Sequence, residues 1–258
     1  MQYQEMLREL HEQKDEMTAA ERLRAYNRGE EVDYQPYTLQ GPDPALANIF
    51  GYTTSEYAKN FEVRCEIIKC RKEEFGLDSF NVGLGLRTIG AALGTTLYFP
   101  ENGIDRIEQH VLMDYKDFDK LEVVDPYNNS VLTPILENAK RLKERFPELG
   151  LTTSIAGPIS NAIAVRPVEM FLRDTVKHPA EVKRLLELMV RCSLRWMEAF
   201  HKEFGSVGTS FNDPVTCMDV ISKKQFYEYS LTYIKELISG TEKIMGNKPG
   251  AHICGKTK

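Results

Sequence analysis

Stretches with apolar residues three and four apart alternate along this chain with short apolar runs, and they predict helices and strands in turn. Thr18-Ala-Ala-Glu21 has the form of a capping box and opens a helix through Glu21-Arg-Leu-Arg-Ala-Tyr-Asn, which Gly29 stops. Tyr34 to Pro42, YQPYTLQGP, reads as a short strand. A longer helix is predicted from about Ser55 to Phe75, with Tyr57, Phe61, Cys65 and Ile68 on one face and Gly76 as its C-cap. Ser79-Phe-Asn-Val-Gly-Leu-Gly is the next strand. Residues 90–130 read as an excursion of short strands and turns, ending at a helix that Thr133 and Pro134 open.

The second half is more regular. Thr152 to Pro158 is a strand meeting a Gly-Pro turn, and Arg166 to Gly205 holds two helices split near His178-Pro179, because the residue before a proline avoids helical backbone. Val182, Leu186, Met189, Ser193, Trp196 and Phe200 trace the buried stripe of the second of these helices. SVGTSFNDP is strand-like again, Ser222 caps a helix carrying Phe226, Tyr229, Tyr233, Leu237 and Ile238, and AHIC has the look of a strand end. Strands separated by helices and running one way predict a parallel α/β sheet, either a βα barrel or a doubly wound sheet.

Composition narrows the function class. With 258 residues, 42% hydrophobic and 28% charged, the chain can bury a core without disulfide staples. A net charge of −5 with both signs interspersed leaves no field to hold a nucleic acid. No apolar run approaches the ~20 residues of a membrane span, and the start is too charged for a secretory signal, so a cytoplasmic location is expected. Five cysteines at irregular spacing argue for reduced thiols rather than a disulfide framework.

The candidate chemistry concentrates in GAHICGKTK, Gly250 to Lys258. Gly250 to Thr257 fits the G-x-x-x-x-G-K-[ST] phosphate-loop pattern, but such a loop needs a buried strand before it and a helix after it. Neither is legible here: Pro249 stands where the strand belongs, and only Lys258 follows Thr257. His252 and Cys254, two apart in a strand, point to one face at the edge where barrel enzymes keep their active sites, and imidazole and thiolate are ligands zinc prefers. Two ligands do not make a site, and an ordinary histidine beside a packed thiol fits H-x-C as well. Phe211-Asn212-Asp213-Pro214 suits either a helix-capping turn or a substrate contact. GLGLRTIG, Gly83 to Gly90, fails the dinucleotide fingerprint at Thr88 and reads as close packing or substrate approach. Cys65 and Cys70 fall on different helix faces, and His110, His178 and His201 read as solvated.

Several stretches, in order, resemble one family. ERLRAYNRGEEVDYQP, GLGLRTIGAALGT, FDKLEVVDP, SIAGPISNA, FLRDTVKHPAEVKRLLELM, FNDPVTCMDVISKKQFYEYS and HICGKT are similar to the uroporphyrinogen decarboxylase superfamily. Within it they are most like the cobamide-dependent methyltransferases that pass a methyl group to coenzyme M. HICG after a strand and DPV followed by IS are the more specific pieces. The resemblance implies a (β/α)8 TIM-type barrel over residues 1–258, with residues 1–34 as a helical extension. It also implies zinc on a His-x-Cys pair, matched by His252 and Cys254, and on a later cysteine that has no match here. Asp213 is then the catalytic candidate, with Asn212, Gly157 and Pro158 as substrate contacts. Uroporphyrinogen decarboxylases proper carry an arginine-rich motif that would fall near YQPYTLQGPDP, where no arginine stands.

Strand candidates fall near residues 35–39, 79–83, 152–156, 206–211 and 250–254, about five where a closed barrel needs eight. The expectation is a barrel truncated after about the fifth strand, whose natural polypeptide continues past Lys258. The activity implied is zinc-dependent methyl transfer between a methyl-corrinoid on a partner protein and a thiol acceptor of coenzyme M type. The alternatives are the reverse loading of the corrinoid from a methoxylated or methylated amine donor, a decarboxylase, a non-catalytic barrel fragment, and a phosphate-loop nucleotide binder.

Overall fold

The computed structural model describes residues 16–36 and 43–256. The chain forms two compact units, residues up to Phe80 with Glu101–Gly103, and Asn81–Pro100 with Ile104 onward. Among the described residues no helix is long and apolar enough to cross a membrane.

In the first unit, helix α1 (Ala19–Asn27) starts on the expected capping box, with Thr18 and Glu21 bonding each other's backbone N–H groups. Gly29 takes a left-handed backbone just past its end, at φ 72°. The strand expected at 35–39 falls largely on residues outside the described ones, and 34–36 form no strand. The single helix expected over 55–75 is two helices, α3 (Thr54–Lys59) and α4 (Phe61–Phe75), and a short α2 (Asp43–Ile49) precedes them. Asn60 makes the break. Its backbone is extended, at φ −105° and ψ 114°, while its side chain accepts from the Glu62 N–H and so caps a new helix. Of the expected stripe Cys65 and Ile68 are buried, joined by Val63 and Ile67, while Tyr57 and Phe61 are half-buried. Leu46, Ala47, Val63 and Ile67 form a local core with Phe50, Tyr52 and Tyr57 against it. Gly76 closes α4 at φ 63°, as its position predicts.

The following chain alternates strand and helix: β1 (Ser79–Asn81), α5 (Thr88–Ala92), the antiparallel ribbon β2 (Thr96–Tyr98) and β3 (Arg106–Gln109), α6 (Leu132–Arg145), β4 (Gly150–Ala156), α7 (Pro158–Val165), α8 (Val168–Lys177), α9 (Pro179–Phe204), β5 (Gly208–Asn212), α10 (Lys223–Gln225), α11 (Thr232–Met245) and β6 (Gly250–His252). A π-helical turn, Phe226–Leu231, joins α10 to α11. The main sheet has the order β1-β4-β5-β6. β4 with β5 and β5 with β6 are parallel. The Val82 and Leu84 N–H groups reach the Thr152 and Ser154 carbonyls in step, so the chain beyond β1 also runs parallel to β4. Among the described residues this is an open βα-barrel segment of four strands, at four of the five expected positions.

The two faces of this sheet differ as the alternation of side chains requires. Thr153, Ile155, Thr209 and Phe211 are buried on one face, where the Trp196 indole of α9 donates to Thr153 Oγ1 at 3.1 Å. Thr152, Ser154, Ser210 and Asn212 are half-buried on the other, where Asn81 donates to Thr152 and accepts from Ser154. That second face is polar, with mostly small side chains. Every residue of the stripe read for α9, from Val182 to Phe200, is buried, and the chain breaks at His178 as expected. Gly83 allows close packing of the backbone, since a Cβ there would lie 2.7 Å from the Ser154 backbone nitrogen.

Candidate functional site

The strand ends bring the candidate residues into one row. The register pairs Ala156 of β4 with Asn212 of β5, and Asn212 with His252 of β6. Each step is locked by one further bond beyond the ladder: Gly157 N–H donates to the Asn212 carbonyl at 2.8 Å, and Asp213 N–H to the His252 carbonyl at 3.0 Å. Gly157, Asn212, Asp213 and His252 therefore stand at the C-terminal edge of three adjacent parallel strands, the end at which βα barrels carry their chemistry.

His252 and Cys254 meet. His252 Nε2 lies 3.1 Å from Cys254 Sγ, and both residues are exposed. Strand β6 stops at His252, two residues short of the expected end, so the meeting depends on the turn that follows. Gly255 takes φ 73°, Lys256 N–H donates to Asp219 Oδ2 at 3.0 Å, and the Lys256 carbonyl accepts from Met218 N–H at 2.8 Å. The loop after β5 thus clamps the segment carrying the pair. A Cβ at position 255 would lie 2.7 Å from Asp219 Oδ2 and 3.0 Å from Cys217 Sγ, which only glycine avoids. The phosphate-loop reading has no place here, because its first three positions are strand β6; Thr257 lies outside the described residues.

The pair fits zinc in kind and in spacing. Bonds of about 2.0 Å to nitrogen and 2.3 Å to sulfur at a tetrahedral angle put the two donors about 3.5 Å apart, a few tenths of an ångström from the separation found. Among the described residues no group of three or more His, Cys, Asp and Glu side chains is arranged to hold a metal ion. Cys65 and Cys192 are buried and Cys70 is half-buried.

Asp213 resolves toward the helix. It is fully buried, and its Oδ1 accepts both the Ser160 N–H at 2.9 Å and the Ser160 hydroxyl at 2.6 Å, so it caps the N-terminus of α7 from another strand. Oδ2 is buried with no partner among the described residues. Gly157 lies directly beneath this carboxyl: a Cβ there would be 2.3 to 2.5 Å from its Cβ, Cγ and Oδ2 atoms. Pro158 is the first residue of α7, with the missing N–H that this position tolerates. Gly157 and Pro158, expected as substrate contacts, thus form the seat of Asp213. Asn212 alone faces the polar side with Ser210, next to His252. Gly157→Ala is expected to displace the carboxyl and lower stability by about 1–3 kcal/mol, read as a shift in the urea midpoint.

Burial raises the pKa of Asp213 to about 6, against the bonds from Ser160, which favour the charged form. An unfolded aspartate titrates near ~3.9, so between the two values the folded chain holds the extra proton. Stability from this group therefore rises as pH falls through 6 and is lost as pH rises. Between pH 7.5 and 5 the change is about 1.4 kcal/mol, and Asp213→Asn is expected to remove that part of the slope in denaturation curves at the two pH values.

Sequence reasoning missed Ser160, which SIAGPIS carries without any motif, and the clamp of Met218 and Asp219. It also read His110 as solvated; the residue is half-buried, and burial lowers its pKa. It lines a cavity of about 450 Å³ whose wall also includes Ser160 and Pro214, the neighbours of Asp213.

No curated protein matches the chain. Among solved structures, a methyltransferase from Methanosarcina mazei is similar in fold, with a TM-score of 0.74 and 21% sequence identity, covering 93% of this chain and 71% of that one. A family model described as uroporphyrinogen decarboxylase (URO-D) matches residues 18–258. The chain belongs to the uroporphyrinogen decarboxylase family.

Proposed function

We propose that the chain transfers a methyl group from a methyl-corrinoid carried on a partner protein to a small thiol acceptor of coenzyme M type, using zinc held by His252 and Cys254. The observation that carries this reading is the 3.1 Å approach of His252 Nε2 to Cys254 Sγ at the C-terminal end of a parallel strand. Membership of the family and the fold likeness to a methyltransferase support it.

Zinc at this pair would supply a Lewis acid that keeps the acceptor as thiolate at neutral pH, where a free thiol with pKa near ~8.5 is mostly protonated. The remaining roles belong to the chain. His252 and Cys254 are both exposed, so a small acceptor could reach a metal held there. Asn212, beside His252 on the polar face, is placed to hydrogen-bond the acceptor and orient its sulfur. Asp213 acts as a positioning residue: its N–H fixes the His252 carbonyl and its carboxyl ties that strand end to α7. In the reaction the thiol proton leaves to solvent, a carbon–sulfur bond forms, and the carbon–cobalt bond breaks with its electron pair left on the corrinoid.

The test is to mix the protein with methylcobalamin and follow its absorbance as small thiols are added. Thiol-dependent loss of the methyl-cobalt spectrum is expected. Methyl loading of reduced cobalamin from an ether or a methylamine, with no thiol-dependent loss, would favour the opposite direction of transfer and overturn the proposal.

A further inference from the structure

We infer that the cavity between the β2–β3 ribbon and helix α7 is a binding site for a small organic anion with an apolar body, whose carboxylate or equivalent oxyanion is held by Arg87 and Arg106. At about 450 Å³ the cavity has the size of a small-molecule site. Its body is apolar: Ile107 comes from β3, Ile163 and Ala164 from α7, and Pro167 and Val168 from the start of α8. Two guanidinium groups, from Arg87 at the start of α5 and Arg106 in β3, line the same space.

The charges in this cavity are not already spent on each other. Arg87 is ion-paired with Asp105, which is not in the lining, at 3.6 Å, a separation too long for a direct hydrogen bond and with both side chains 30% exposed. Arg106 holds its guanidinium over the Tyr98 ring, 4.3 Å from its centroid, a contact with the ring face that does not use its N–H groups as donors to a carboxylate. Glu169 is the one carboxylate in the lining, and it is exposed at the rim beside His110. Burial disfavours the cationic form of His110, so the cationic lining is that of the two arginines. A planar oxyanion suits such a pair, because a guanidinium presents its donors in a fixed fork.

This site goes beyond the methyl-transfer reading and stands without it, since neither His252 nor Cys254 lines the cavity. Nor do its arginines fall in the segment near residues 34–44, where the family resemblance would put a carboxylate grip. Its floor does touch the chemistry indirectly: Ser160 binds the Asp213 carboxyl and Pro214 follows it, so an occupant would press on the residues that hold the end of β5.

The test uses matched probes, 3-phenylpropionate and its neutral amide, titrated by calorimetry into the intact protein at low salt. The carboxylate is expected to bind saturably and at least tenfold more tightly than the amide. Arg106→Gln and Arg87→Gln are each expected to weaken the carboxylate about tenfold and leave the amide unchanged, the loss of one charge-assisted contact. Because both arginines are at the surface of the cavity, the variants' circular dichroism and melting should match those of the parent. Equal binding of acid and amide, or a carboxylate affinity indifferent to both substitutions, would reduce the cavity to an apolar pocket and overturn the inference. Absence of binding by either probe at ten millimolar would overturn it as well.

Discussion

Cys254→Ser is expected to abolish thiol-dependent demethylation of methylcobalamin, lowering the rate at least a hundredfold. A serine oxygen is a poor partner for zinc where a thiolate is a good one, and the loss leaves His252 as a single exposed imidazole. Without the metal, only a few per cent of an acceptor with pKa near ~8.5 is thiolate at pH 7, and the positioning of its sulfur is lost too. His252→Ala should do the same. Cys70→Ser, at a half-buried thiol on α4, is the control and should leave the rate unchanged. A rise in pH toward 9 is expected to recover part of the variant's rate, because ionisation in solution then replaces ionisation at the site.

The second large effect is on stability. Arg166 and Asp174 form a buried ion pair, Nε to Oδ2 at 2.6 Å, with side-chain exposures of 5% and 2%. Arg166 also donates to the Leu112 and Met113 carbonyls and stacks on Tyr115 at 4.2 Å, so one guanidinium ties the segment after β3 to the α7–α8 corner. Asp174→Ala leaves that cation without its counter-charge in the interior, which costs about 3–5 kcal/mol. For a chain of this size that corresponds to a fall in melting temperature of roughly 8–15 °C. Combining Asp174→Leu with Arg166→Met should recover part of the loss, because two apolar side chains of similar volume need no charge balance. If the single and double variants melt together, the uncompensated charge is not the cause.

How much of this could be read without coordinates depended on how local the cause was. The break at His178-Pro179, the α9 stripe and the Gly76 cap follow from residues within one or two turns, and all three stand where the pattern puts them. The division of residues 55–75 did not show, because Asn60 competes with the helix through its own side chain, and periodicity counts only apolar positions. The π-helical turn after Ser222 was equally silent: Tyr229, Tyr233 and Leu237 are helical and buried, yet their spacing is satisfied by either kind of turn. The approach of His252 to Cys254 was expected from the period of two in a strand, but the strand ends at His252, and it is the turn at Gly255 that brings the thiol to the imidazole. The contact of Ser160 with Asp213, 53 residues apart, was not, since nothing local in either segment announces the other. The same holds for Arg87 and Arg106, which share a cavity only because the β2–β3 ribbon folds back between them.

The account turns on whether one ion bridges His252 and Cys254, and zinc K-edge X-ray absorption of the purified protein addresses that directly. The expected spectrum has close to one zinc per chain, with a sulfur neighbour at about 2.3 Å and an imidazole nitrogen at about 2.0 Å, the sulfur vanishing in Cys254→Ser. A protein that takes up no zinc, or a zinc shell that is unchanged when either residue is replaced, would contradict it.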